Sequence, residues 1–325
     1  MGTDRPDVAQ ARCDFSLPSY VAAPVHAGPA PAAQGSGATP AGCPSTPLSR
    51  GRFFDPVIPL SKKQELLPSA AGSLTRCSIR RVDPAVVQAR FVDGAGQKHQ
   101  IPWLHAAAES PLEECVPVQR FPVLKGRRVA PGWWWTATSG RHVHYGFGAM
   151  RTQVMLLDRD PQVTALACRP VELMWRGRGG KTVSHAPHLM ARLADGSGVL
   201  IDCAGARGAG RRLIQRAIHV EAAAEAAGWH YRVVGAPTPA VEANVRWLAG
   251  YRHPRCAPSG LSSVSECFRM PRPLVEGVRL LGDPIAVWPA VFHALWRGVL
   301  STALHRPLHE RALTVSTYPG AGAHL

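Results

Sequence analysis

The order of apolar and polar residues changes character several times along the chain. From Ser78, apolar side chains at Ile79, Val82, Val86, Val87 and Phe91 run into Asp93-Gly94 and Gly96 and resume at Ile101 and Leu104, a spacing that predicts short strands around a turn. Phe147, Met150 and Val154 to Leu157 recur at helical spacing, and Asp158 with Asp160-Pro161 ends the predicted helix. Val163 to Trp175 reads as one or two strands and Val183 to Ala194 as another. The turn Asp195-Gly196-Ser197-Gly198 joins the latter to Val199–Cys203 in the clearest hairpin of the sequence. Arg211 to Ala227 then carries Leu213, Ile214, Ala217, Ile218 and Val220 in helical phase up to Gly228, and Tyr231 to Val234 supplies a further strand. Helix, strands, helix, strand is the order of a mixed α/β core. Beyond Gly235 the pattern is helical, over 241–251, 274–281 and 285–300.

These changes divide the chain. Residues 1–50 hold thirteen Gly or Pro and few large apolar side chains, so they cannot bury enough surface to offset chain entropy and are expected to form a disordered arm. A linker and small β-rich lead-in over 51–119 precede the core at 120–235. A small helical C-terminal domain follows at 236–318, and 319–325 is a tail. No stretch combines the length and apolarity of a membrane span, since the segment Ile285 to Trp296 is short and holds Pro289 and His293. The start of the chain lacks the pattern of a secretory signal. Eight Cys without a Cys-x-x-Cys pair indicate neither a zinc site nor a disulfide framework, and suit a reducing cytoplasm.

Charge adds a partner to this picture. The 325 residues carry 37 Lys+Arg against 22 Asp+Glu, a formal charge of +15, which favours a polyanion such as nucleic acid. Residues 120–181 hold eleven basic and three acidic residues, a local excess of +8. Only five basic residues are Lys; the Arg bias suits phosphate contacts, although a GC-rich genome would produce the same richness in Arg, Ala, Gly and Pro.

Longer motifs then become informative. Gly132-Trp133-Trp134-Trp135-Thr136-Ala137-Thr138-Ser139-Gly140, Leu157-Asp158-Arg159-Asp160-Pro161-Gln162-Val163, His185-Ala186-Pro187, Gly228-Trp229-His230-Tyr231-Arg232-Val233-Val234-Gly235 and Asn244-Val245-Arg246-Trp247-Leu248-Ala249-Gly250-Tyr251-Arg252-His253-Pro254-Arg255 occur in order. Together they resemble TnsA-like endonuclease subunits of heteromeric transposases, in their actinobacterial form, from about residue 77 to about residue 315. The resemblance implies a restriction-endonuclease-like mixed sheet flanked by helices and action on duplex DNA at transposon ends. It also implies a DDE-type transposase and an AAA+ ATPase regulator as partners, and a nucleoid-associated location in the cytoplasm.

The same resemblance identifies departures. The family's metal-binding Glu falls on Met150, its central Asp on His188 and its basic residue on Ala204, while Asp202 alone retains a ligand type. A thioether is a poor ligand for Mg²⁺ or Mn²⁺, and Mg²⁺ demands near-octahedral oxygen coordination. The expectation is a catalytically degraded subunit with no firmly implied cofactor, and with Mg²⁺ or Mn²⁺ only if activity remains. Two alternatives stand beside it: an active nuclease pairing Asp202 with Glu172 or Asp195, and a non-catalytic protein that docks a transposition regulator. Arg141, Arg151, Arg176, Arg178 and Lys181 are the candidate DNA contacts, with a solvated basic face as the plain alternative. The three tryptophans at 133–135 either stack bases or pack a core. His185 and His188, three apart on one predicted strand, should point to opposite faces.

Overall fold

The computed structural model describes residues 81–123, 125, 130–205, 208–257 and 260–317. The expectations for 1–50, for much of 51–119 and for the tail therefore fall largely or wholly outside the described residues, as does the side chain of Arg178. From Arg81 onward the described residues belong to one compact unit.

The first strands among the described residues form a hairpin of β1 (Gln88–Val92) and β2 (Lys98–Pro102), followed by α1 (Trp103–Glu109), so Leu104 is helical and not part of a strand. A two-stranded ribbon of β3 (Gly132–Trp135) and β4 (His142–Tyr145) leads into α2 (Gly148–Arg159). Then come β5 (Val163–Cys168), β6 (Val171–Arg176), β7 (Thr182–His185), β8 (Leu189–Leu193) and β9 (Gly198–Cys203). Helix α3 (Arg211–Ala226) returns the chain to β10 (His230–Val234), which lies parallel to β9, as a helical crossover permits.

Two four-stranded sheets result, in the orders β2-β1-β6-β7 and β10-β9-β8-β5. The predicted run 163–175 is thus two strands in different sheets, broken at Arg169-Pro170. The run 183–194 is likewise two strands, broken at Ala186-Pro187. At both places a proline, unable to donate to a ladder, marks where the chain leaves one sheet for the other. The corners are tied together: the Arg169 N–H donates to the His188 carbonyl at 3.2 Å. Arg169 holds φ 44°, a left-handed backbone uncommon outside glycine. The N-terminal lead-in is built into the core, because β1 pairs with β6.

Strand β9 is buried along its whole length. Its Val199, Ile201 and Cys203 join Met150, Val154 and Leu157 of α2 in one core. Leu200 faces a second core with Met190, Leu173, Val220, Trp103 and Trp229. Asp202 shares the face of Leu200 by strand alternation, and it is the single charged side chain in this strand.

The C-terminal segment contains α4 (Pro239–Leu248), α5 (Leu261–Cys267), α6 (Leu274–Leu281) and α7 (Pro284–Trp296). It also forms a small antiparallel sheet of β11 (Arg272–Pro273), β12 (Leu300–Thr302) and β13 (Leu313–Ser316), in the order β11-β13-β12. The sequence pattern anticipates the helices near 241, 274 and 285 but neither α5 nor these strands. Met155 of α2 lies inside the C-terminal core beside Leu248, Phe268, Val291 and Trp296. Arg159, at the end of α2, donates through Nε and a terminal nitrogen to the Leu295 carbonyl at 3.2 and 3.0 Å. Among the described residues no helix is long and apolar enough to cross a membrane.

Candidate functional site

The retained acidic residue is fully buried near the end of the central strand. One carboxylate oxygen of Asp202 lies 2.6 Å from His185 Nε2 and accepts from the Tyr231 hydroxyl at 2.7 Å. The other accepts from the His188 backbone N–H at 3.3 Å. His185 closes β7, His188 precedes β8 and Tyr231 sits on β10, so the site gathers three strands at the corner between the two sheets. His185 and His188 therefore converge on one carboxylate. The expectation of opposite faces assumed a continuous strand, and the break at Pro187 removes that premise.

Burial pushes the Asp202 carboxyl up, but the His185 hydrogen bond, the charges of His185 and His188 and the Tyr231 hydrogen bond outweigh it and hold the group below its ordinary value. Burial lowers His188, aided by the charges of Arg169 and His185 and opposed by Asp202. His188 Nδ1 lies 3.1 Å from Asp202 and also 3.0 Å from the Cys203 N–H. One nitrogen cannot donate to the carboxylate and accept from the amide at once. The lowered basicity favours a neutral ring whose Nδ1 accepts from Cys203; once acid protonates the ring, Nδ1 becomes a donor toward Asp202 and its charge helps to hold that carboxyl down. Burial, then the Asp202 charge, drives the Tyr231 phenol up, so it remains a donor.

Arg169 belongs to this neighbourhood. Its guanidinium lies 3.8 Å above the Phe121 ring, and the Asp202 charge opposes the fall that burial imposes on its basicity. Phe121 and Phe147 in turn pack on the His188 ring. Neither Tyr231 nor Arg169 stands out in the sequence as a site residue, because each reads as an ordinary member of a strand or its flank.

Of the other positions that the resemblance singles out, Met150 is fully buried in the core on the α2 face of β9, opposite Asp202, and its Sδ accepts from the Gly146 N–H at 3.3 Å. Ala204 is buried just past β9, with its N–H donating to Val234. The substitute carboxylates do not join Asp202. Glu172 is held by Arg90 and by Gln119. It also lies on the face of β6 opposite Leu173, the register partner of His185. Asp195 is occupied by Ser197 in the β8–β9 turn, and Gly198 to Asp202 alone spans about 13 Å of strand. Among the described residues no group of three or more His, Cys, Asp or Glu side chains could hold a metal ion. The donor set at Asp202, one carboxylate already bonded through both oxygens, two imidazoles and a phenol, does not fit Mg²⁺.

Of the five candidate DNA contacts, the four whose side chains are described are not gathered in one place. Arg176 and Lys181 share the β6–β7 turn and are exposed, as is Arg141 in the β3–β4 turn, where it donates to the Glu113 carbonyl. Arg151 lies on α2 beside the tryptophan ribbon. Two further basic residues of the 120–181 window, Arg159 and Arg169, serve internal contacts, so the local charge excess overstates the basic surface. The tryptophans divide: Trp134 donates to Asp158 at 3.1 Å and packs against two cores, whereas Trp133 is 64% exposed.

Much of the motif text is accounted for by such anchors. Asp158 accepts from the Thr138 N–H and hydroxyl. Asn244 donates to the Leu304 and Arg306 carbonyls and accepts from the Leu308 N–H. Arg252 donates to the Trp135 carbonyl and stacks on Trp134 at 4.1 Å. No protein-family model and no functionally curated protein matches the chain.

Proposed function

We propose that the chain is a TnsA-like subunit of a heteromeric transposase, in the nucleoid-associated cytoplasm, that binds duplex DNA at transposon ends and lacks the family's metal-dependent cutting chemistry. What carries this reading is Asp202. The one ligand that the resemblance retains is closed off by His185, His188 and Tyr231, with no second carboxylate among its partners in the described residues. Also in its support, α2, the antiparallel strands β5, β8 and β9, helix α3 and the parallel strand β10 follow the order that a restriction-endonuclease-like core requires. The test has two arms. Duplex carrying the element's ends should bind with an affinity that falls steeply with salt, and should stay intact in Mg²⁺ or Mn²⁺. Cleavage that disappears in Asp202→Ala would overturn the degraded reading, and absence of duplex binding would overturn the DNA-binding one.

A second reading, docking of the DDE-type transposase or the AAA+ regulator, is favoured by the exposed apolar residues Met270, Leu280 and Ile285 in the C-terminal segment. Leu280→Glu combined with Ile285→Glu should abolish co-purification with the partner without altering thermal stability. Unchanged co-purification would reject it.

A further inference from the structure

A cavity of about 460 Å³ opens between the β3–β4 ribbon, α2 and the end of α4, within the size range of small-ligand sites. Trp133, Trp134, Trp135, Arg151, Arg246 and Arg252 form its aromatic and basic walls, and among the described residues no carboxylate lines it. Three guanidiniums around one space call for a counter-charge. Arg246 has one in Glu242 on its own helix. Arg252 donates through Nε and one terminal nitrogen to the Trp135 and Ala249 carbonyls and feels the charge of Asp158, and its second terminal nitrogen has no acceptor among the described residues. Arg151 Nε is buried without a hydrogen-bond partner among the described residues, as are Arg169 Nε, Arg272 Nε and Trp296 Nε1, and of these four it is the one whose residue lines the cavity. A buried donor without an acceptor is uncommon in folded proteins, and here it borders a cavity. Trp133 rests on His144 with ring centroids 4.8 Å apart and remains largely exposed, so its indole is available for a further flat ring.

We propose that this cavity is a nucleotide-binding site, in which Arg151 and Arg252 hold a phosphate and Trp133 stacks the base. The shared ligand chemistry is a phosphate joined to a planar heteroaromatic ring. It can be supplied by a free nucleotide or by an unpaired nucleotide at a DNA end. The second source deepens the reading of the chain as a DNA-end-binding subunit and rests on it, whereas the first does not.

Gly250 supplies a clean probe. It lines the cavity, and a Cβ added there meets no atom within 4 Å, so Gly250→Trp fills the space without a clash at Cβ. Arg151→Met removes a donor that has no partner, and so should keep or raise thermal stability. Calorimetric titration of the full chain would use deoxyadenosine monophosphate, a 5′-phosphorylated single-stranded pentanucleotide, and a blunt duplex. The expected result is binding of the mononucleotide or the pentanucleotide that weakens about tenfold or more in both variants, while Lys98→Ala, at an exposed position of β2, leaves it unchanged. Mononucleotide binding identifies a free nucleotide as sufficient; binding of the pentanucleotide alone identifies the strand end. Failure of blunt duplex to bind, with pentanucleotide binding intact, would reject duplex recognition and leave the cavity assignment standing. Absence of binding by both single-stranded probes, or binding indifferent to Gly250→Trp and Arg151→Met in proteins with native circular dichroism, would overturn the proposal.

Discussion

At the scale of single residues, Asp202 shows how a carboxylate is kept charged inside a core. Its buried position alone would neutralise it, and His185, His188 and Tyr231 reverse that tendency. Removing one donor should therefore be felt. Tyr231→Phe keeps the ring and deletes a hydrogen bond to a charged acceptor, so urea denaturation should show a loss of about 1.5–3 kcal/mol. An unchanged midpoint would mean that the phenol does not support the carboxylate. The pH dependence has a definite sign. His188 is lowered in the folded chain, chiefly by burial, so the unfolded chain takes up a proton first as the medium is acidified. Stability from this group is complete above the ordinary histidine value of about 6.5 and is lost as pH falls through the lowered value. Asp202, also lowered, adds a second loss below the ordinary aspartate value of 3.8. Melting temperature measured across this range should fall in two stages on acidification, and His188→Gln should flatten the first. A melting temperature that rises on acidification would contradict the account.

At the scale of elements, the prolines decide what the sequence could disclose. The helix α2, the β8–β9 hairpin, α3 and α6 are legible because periodicity, turn residues and stop signals coincide there. The runs at 163–175 and 183–194 look continuous in hydropathy, yet each changes sheet at its proline. That change brings His185 and His188 onto Asp202, a convergence that alternation along one strand excludes. Asp202 itself was visible as a candidate. Its closure was not, since Tyr231 and His185 come from other strands and only the tertiary pairing of β10 with β9 brings Tyr231 alongside. The tie between α2 and α7 is a further tertiary feature. Arg159 is buried, its basicity is lowered to about 10, mainly by burial, and its guanidinium reaches the Leu295 carbonyl. Arg159→Ala should cost about 1.5–3 kcal/mol in chemical denaturation, because it deletes a charged donor to the Leu295 carbonyl and leaves that carbonyl only backbone partners, the Gly298 N–H among them. A loss below about 0.5 kcal/mol, the size of an ordinary surface substitution, would show that the contact does not hold the C-terminal segment to the core.

At the scale of the whole molecule, the net charge of +15 is divided between roles. Arg159 is interior, Arg169 is half-buried against Phe121, Arg151 and Arg252 border the cavity, and Arg141, Arg176 and Lys181 are exposed in turns. The window that carries +8 is consequently less of a DNA-facing surface than its sequence suggests. If Arg176 and Lys181 each contact a phosphate, neutralising either should weaken duplex binding across sequences and reduce the magnitude of the log K against log salt slope by about 1. An unaltered slope would assign the β6–β7 turn to solvent. The central proposal is that the chain binds duplex DNA although Asp202, the position where the resemblance places a nuclease ligand, is closed off. Its most direct measurement is a nicking assay on supercoiled plasmid carrying the element's ends, in Mn²⁺, at a protein concentration that a gel shift shows to be saturating. The account predicts bound and un-nicked plasmid. Nicking by the wild-type chain that Asp202→Ala eliminates would contradict it.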